Sequence, residues 1–261
     1  MKANWKLALM CAAALAFVAC NKDKDPNKPN QEGGGEEQTD KKVEIKVDDN
    51  SLADWDNVPA EYLASATLPE SAGLLALKSV KVFADEIYIN VLVEIDEEEV
   101  ADRSWTPFHM YINTDNSDLT GGYGDQFADA NTDVMLEGGV FADGAAAEYN
   151  PGVSNWYGEV GGTGWEWCPE GAANDATDCW CATVCSGDMP IGKSQLVNNK
   201  FFEIQLIREL IATNAGWNES EFGIGFDIQQ NWESAGLLPQ VDATDENPSG
   251  HSNKLQVKIY K

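Results

Sequence analysis

Three stretches of this sequence gather residue types that bind or stack as well as pack. The first runs from Asn113 to Asp133 and holds Asn113, Asp115, Asp118, Asp125, Asp129 and Asp133 among glycines. Calcium takes about six to eight hard oxygen ligands, and alternating Asp and Asn beside glycine turns let carboxylates and carbonyls converge. The order departs from an EF-hand, lacking its central glycine and its closing glutamate. The plain alternative is a solvated acidic loop, in keeping with 44 acidic residues in the chain. So many carboxylates in one loop repel one another unless a cation sits among them. A structural calcium on these six residues is therefore the expectation.

The second stretch, 149–180, carries Tyr149, Trp156, Tyr157, Trp165, Trp167 and Trp180 among many glycines. Sugar rings present apolar C–H faces that stack on flat aromatics, and glycine lets the backbone bend around a ligand. Trp156, Trp165, Trp167 and Trp180 are the candidate ligand contacts. In Gly161-Gly-Thr-Gly-Trp165-Glu-Trp167 an extended backbone points both rings the same way, as one platform. The competing reading is a satellite core under the long loop. Packing is the default for any single Trp, with at least one expected to stand exposed. Trp217 and Trp232 read as structural. Gln229, Gln230 and Asn231 lie where they could reach a ligand or cap a strand edge.

The third stretch is Cys168, Cys179, Cys181 and Cys185, four thiols within eighteen residues. An even count in an exported chain reads as two disulfides stapling a loop. Four thiolates would also satisfy a tetrahedral zinc ion, but the spacing lacks paired C-x₂-C knuckles and favours disulfides. Alternate residues of an extended chain lie about 6–7 Å apart with parallel side chains, which disfavours a Cys179–Cys181 bridge.

Catalytic equipment is sparse. His109 and His251 are the two histidines, the first inside an apolar strand and the second in a Ser/Gly/Asn loop. The sequence has no G-x-S-x-G, no H-E-x-x-H and no phosphate-binding glycine loop between strand and helix. The chain reads as a non-enzyme. The alternative is a hydrolase built on a carboxylate pair distant in sequence.

The elements that must position these stretches are strands. Val43 to Val47 alternates apolar and polar residues, the pattern of a half-buried strand. Leu74–Phe83 and Ile87–Ile95 read as a strand pair joined by Ala84-Asp85-Glu86. Further strands are predicted over Phe108–Ile112, Val134–Phe141, Phe201–Ile207, Phe222–Ile228 and Leu255–Tyr260. Short helices are predicted at Arg208–Asn214 and Ala60–Ala64. Strands alternating with turn-rich loops and almost no helix predict an all-β, antiparallel β-sandwich, jelly-roll-like, in a single domain over 43–261. The loops 113–133 and 142–200 exceed what hairpins need, and long loops usually carry function or an ion.

Val47-Asp-Asp-Asn-Ser-Leu-Ala-Asp54-Trp55 is similar to the opening of the family-nine carbohydrate-binding modules and their DOMON-like relatives. There a first strand runs into a turn and an Asp-Trp pair packed under the sandwich. Val82-Phe-Ala-Asp85-Glu-Ile-Tyr88-Ile-Asn-Val91 resembles their next strand pair, and Phe108 to Asp115 resembles the strand leading into an Asp/Asn-rich loop. The likeness covers about the first third of the folded part. It implies a β-sandwich that binds a glycan without catalysis, and it assigns no ligand residue in the second half.

The N-terminus sets an address. Lys2 and Lys6 precede an apolar run from Leu7 to Ala19, an export signal too short to span a bilayer. Phe17-Val-Ala-Cys20 resembles the lipobox of bacterial lipoproteins, with Phe17 in place of the usual Leu. Residues 1–19, including Cys11, would leave, and Cys20 would carry the lipid (diacyl plus an N-acyl such as palmitate), enough for lasting attachment. Asn21-Lys-Asp-Lys-Asp25 resembles an outer-face sorting tag and also reads as a solvated charge cluster. Residues 20–42 form a flexible acidic linker, too polar to bury a core. The expected location is the outer membrane, at the cell surface.

Losing Lys2 and Lys6 takes the formal charge from −27 to −29. That field repels nucleic acid and anionic headgroups, leaving the lipid as the membrane contact and a glycan or other neutral ligand as the partner. A structural or protein-interaction role in the envelope is the competing class. Cys20→Ser should release the protein from membranes with the domain still folded. Fractionation after a high-salt wash checks this, and continued sedimentation with membranes would rule out the anchor.

Overall fold

Each long strand buries the residues that alternation sets on one face. In the computed structural model, which describes residues 42–73, 75–167 and 191–261, twelve strands carry the fold. They are β1 (Ala64–Thr67), β2 (Leu77–Asp85), β3 (Tyr88–Ile95), β4 (Trp105–Asn113), β5 (Val134–Ala142) and β6 (Ala145–Ala146). Then follow β7 (Gly152–Asn155), β8 (Gly192–Val197), β9 (Phe201–Ile207), β10 (Glu221–Gln230), β11 (Glu233–Leu238) and β12 (Leu255–Tyr260). Among the described residues there is no α-helix, only five short 3₁₀ turns. Lys42 to Lys261 packs as one compact unit.

The strands form one large, nearly closed sheet in the order β6-β5-β4-β10-β12-β2-β3-β9-β8, with β7 on β5, β11 on β10 and β1 on β2. Strand β12 is the link between its halves. Leu255 to Lys258 runs antiparallel to β10, and then Ile259 and Tyr260 pair in parallel with Ala84 and Asp85 of β2. Both halves feed one core. Phe108, Met110 and Ile112 of β4 and Phe222, Ile224 and Phe226 of β10 share it with Val80 and Val82 of β2 and Ile89, Val91 and Val93 of β3. The Phe141 and Phe202 rings meet edge-on at 5.3 Å, joining β5 to β9. Such a core is the main source of stability for a sheet with one buried face.

The outer face of each half is also covered. Over β2, β3 and β9 lies the segment 42–63, whose Val43, Ile45, Trp55 and Val58 pack against Phe83 and Leu92. Trp55 Nε1 donates to Glu203 Oε1 at 2.6 Å. The alternation expected of 43–47 is present in burial, but the segment is not a strand. Its carbonyl at Ile45 is met by the Gln205 side chain at 3.0 Å, so packing and side-chain bonds hold it where a ladder was expected. Over β4, β5 and β10 lie Tyr123, Phe127, Trp156 and Trp167 from the loops, against Tyr111 and Met135.

Apart from 43–47, the predicted strands recur with ends shifted by a few residues, and the β2–β3 turn is clamped by Asp85 Oδ1, which accepts from the Ile87 and Tyr88 amides at 2.7 Å each. The predicted helices shrink to 3₁₀ turns at Arg208–Leu210 and Ala60–Tyr62. Strands β1, β7, β8 and β11 lie in stretches that read as loop. They are short or half-exposed: β8 is only partly buried along most of its length, so no apolar alternation marks it. A close approach on β10 ties loop to sheet. A Cβ on Gly225 would fall 2.3 Å from the Phe127 ring, and that ring is buried. Gly225→Ala should therefore destabilise by about 1–3 kcal/mol through overpacking, read as a lower urea midpoint with an unchanged slope.

Candidate functional site

On the outer face of β4, β5 and β10, three ionisable residues of largely apolar strands fall into one row. His109 pairs in register with Glu137 of β5 and with Asp227 of β10. All three are buried. His109 Nε2 lies 2.6 Å from Glu137 Oε2. Asp227 accepts from Ser234 Oγ at 2.5 Å, Gln229 Nε2 at 2.8 Å and Gln126 Nε2 at 3.2 Å. Burial pushes the Asp227 carboxyl up, while His109 and these three donors oppose the shift. Among the described residues His109 Nδ1, Glu137 Oε1 and Trp167 Nε1 have no hydrogen-bond partner.

From this row an aromatic stack climbs toward the surface. His109 stacks on Tyr111 at 5.7 Å and Tyr111 on Tyr123 at 5.1 Å, with interplanar angles of 22° and 23°. Trp167 and Trp156 close around Tyr123 at 5.3 and 6.3 Å. Burial raises the Tyr111 hydroxyl well above its ordinary value and pushes Tyr123 up to about 12. Trp165 stands edge-on to Tyr123 at 6.1 Å and is 51% exposed. Its loop is held from below, because Gly164 N donates to Asp125 Oδ2 at 2.6 Å. Tyr157 is exposed nearby in the chain, and its amide donates to Glu166 O at 2.9 Å.

The Trp residues expected to form a binding surface thus separate. Trp156 and Trp167 are buried and belong to the satellite core, whereas Trp165 faces solvent. Trp165 and Trp167 do not form one platform: their rings meet at 75° with centroids 6.4 Å apart. The backbone around them is irregular, so the strand-like alternation that would align them is absent. Trp180, Cys20 and the four clustered cysteines lie outside the described residues. Trp217 packs edge-on against Phe222. Trp232, expected to be structural, is 69% exposed. Gln229 serves Asp227, and Gln230 bonds Ala101 N and Glu99 O.

The six candidate calcium ligands each have a chain partner. Asp133 accepts from Thr114 N and Oγ1 at 2.7 and 3.2 Å, and burial together with the charge of Asp115 raises its carboxyl. Asp115 accepts from Ser117 N and Thr120 Oγ1, Asp118 from Asn131 Nδ2, and Asp125 from Gly164 N. Asn113 bonds Ser117 through both side-chain atoms. Asp129 pairs with Lys254, whose ammonium is 3.3 Å from Asp129 Oδ1 and also donates to Asp129 O and Asn131 Oδ1 at 2.7 and 2.9 Å. The Lys254 ammonium therefore lies among the polar groups of this loop. No three acidic, His or Cys side chains converge at metal-binding spacing among the described residues.

Sequence reasoning missed the Glu137–His109–Asp227 row. Its signal was present: each ionisable residue sits within a run of apolar ones, and His109 and Tyr111 alternate with Phe108, Met110 and Ile112. What the sequence lacks is the register that aligns them. The row is buried and lies under the aromatic base. No family model matches the chain, and a search of curated proteins returns no significant match.

Lys254 yields a pH test. Burial lowers its pKa from 10.5 to about 8, against the pull of Asp129, Asp133 and Asp118. Between those values the unfolded chain holds a proton that the folded one has lost, so stability rises with pH through this window. The rise is on the order of 3 kcal/mol if the whole shift is realised. Urea midpoints from pH 7 to 10.5 should climb for the parent relative to Lys254→Met, in which that contribution is missing. Parallel pH profiles would remove this assignment.

Proposed function

We propose that this chain is an exported lipoprotein, anchored at the outer membrane through Cys20, whose non-catalytic domain binds a neutral glycan. In this reading the nearly closed sheet is a β-sandwich of jelly-roll type, its two halves face to face across the shared core and joined at β12. One observation carries the binding assignment: Trp165 holds half its surface in solvent while its edge rests on a buried aromatic base. An exposed indole on a rigid support stacks well on a sugar C–H face and loses little conformational freedom on binding. The carboxylates of Glu166 and Glu159, both exposed, stand near it in the loop to accept hydroxyl protons. The strong negative charge suits a neutral ligand better than a polyanion.

A role as a structural or interaction component of the envelope is the second reading. The steep angle between Trp165 and Trp167 favours it, since one ring offers less stacking area than a coplanar pair. Affinity electrophoresis of the detergent-solubilised chain in gels containing soluble neutral polysaccharides separates the two. Trp165→Ala should lose more than about 2 kcal/mol of binding, at an unchanged melting temperature, because its ring contributes little to the core. Unchanged retardation of the variant would clear Trp165, and no retardation of the parent in any gel would favour the envelope role.

A further inference from the structure

The β10–β11 hairpin closes through Asn231 and Trp232 alone, because Gln230 pairs with Glu233. Both loop residues have positive φ, 52° and 67°. That is the twist a two-residue hairpin needs, and Asn-Gly is the sequence that meets it without strain. Here tryptophan stands where glycine is favoured. An L-residue in this region costs conformational energy, and the ring recovers little by packing, since it is 69% exposed. A strained backbone that displays a large aromatic to solvent is a reason to look for a contact outside the chain.

The mount is rigid. Gln230, at the foot of the turn, accepts from Ala101 N at 3.1 Å and donates to Glu99 O at 3.0 Å. Ser234, just beyond it, donates to the buried Asp227. One strand over, the β4–β10 register that sets Ile228 beside Phe108 runs on toward Trp105 at the same end of the sheet. Trp105 is 41% exposed. Its ring occupies the space above Gly139, where a Cβ would fall 2.5 Å away. Trp105 and Tyr111 flank His109 along β4, so the Trp105 end of the strand lies on the other side of His109 from Tyr111, whose stack leads to Trp165.

We propose that Trp232 and Trp105 form a second saccharide contact. The surroundings select the ligand class. Asp102, Ser104, Asn231, Glu233 and Ser234, the chain neighbours of the two tryptophans, are all exposed and polar, which suits a hydroxylated ligand better than an apolar one. Net charge of −27 repels anionic lipid and nucleic acid. A neutral sugar fits both features, with its C–H face on an indole and its hydroxyls toward the Asp102 and Glu233 carboxylates. The inference rests on the glycan reading of the ligand, but not on Trp165.

The test compares the parent chain with Trp232→Gly, Trp105→Ala and Trp165→Ala by affinity electrophoresis in β-glucan, xylan, mannan and glycogen. Thermal melts are run alongside. Trp232→Gly should bind at least about 30-fold more weakly, the equivalent of 2 kcal/mol. Its melting temperature should equal or exceed the parent's, because glycine relieves the turn. Trp105→Ala should weaken binding to the same polysaccharide. If Trp232→Gly melts lower than the parent, Trp232→Asn, which also tolerates this conformation, takes its place with the same expected loss. Parent-like binding by a well-folded Trp232 variant would overturn the second contact. If Trp165→Ala is weakened in the same gels, the primary reading stands without it. No retardation of the parent in any polysaccharide would overturn both.

Discussion

A carboxylate buried without compensation is among the most expensive groups a protein can hold, and the arrangement over β4, β5 and β10 follows from how Asp227 is accommodated. Its three donors come from three places: Gln229 on its own strand, Ser234 on β11 and Gln126 on the long loop. His109 on β4 adds a positive influence and hands the chain of contacts on to Glu137 of β5. One oxygen pair thus joins the hairpin, the central strands and the loop that carries the aromatic base. Removing one donor would leave this carboxylate less compensated in an apolar site, so the bonds couple elements that also share the core.

The same logic explains how the chain accommodates many of its 44 acidic residues in turns. Many of its aspartates cap local turns. Asp49, Asp96, Asp102 and Asp115 each accept from an amide two residues ahead, and Asp85 accepts from two. Such bonds favour the ionised form and fix the turn together. For Asp102, bonds from Ser104 hold the carboxyl below its usual range. In the 113–133 loop, where acids are densest, turn bonds are joined by one buried ammonium from β12's approach, Lys254. Carboxylate spacing is visible in sequence, but the lysine that joins this loop lies more than a hundred residues away from its acids.

This distance effect marks what sequence could and could not disclose. Strands with one apolar face, such as Tyr88–Ile95 and Phe201–Ile207, were legible because alternation is a local property. Strands β7 and β8 were not, since their identity depends on edges supplied by β5 and β9. Segment 43–47 showed the right burial and the wrong bonding, because alternation reports which face is covered and says nothing of which backbone pairs. The row of Glu137, His109 and Asp227 was written in three strands but aligned only by register.

Aromatic exposure was the least legible property, and the reason lies in the glycines. Gly225 opens a seat for Phe127 and Gly139 for Trp105, so whether a ring is buried depends on a missing side chain on a neighbouring strand. Phe127 meets its seat beneath a loop and vanishes from the surface; Trp105 meets its own at the end of β4 and stays partly in solvent. Trp156 and Trp167, rich in glycine neighbours, looked like ligand contacts and became a base. Trp232, with no glycine beside it, looked structural and became the most exposed of the described tryptophans. Glycine near an aromatic therefore signals that a ring will be closely approached, by the protein's own backbone as readily as by a ligand. A ring held out at a conformational cost, without such a seat, is the stronger indication that its partner lies outside the chain.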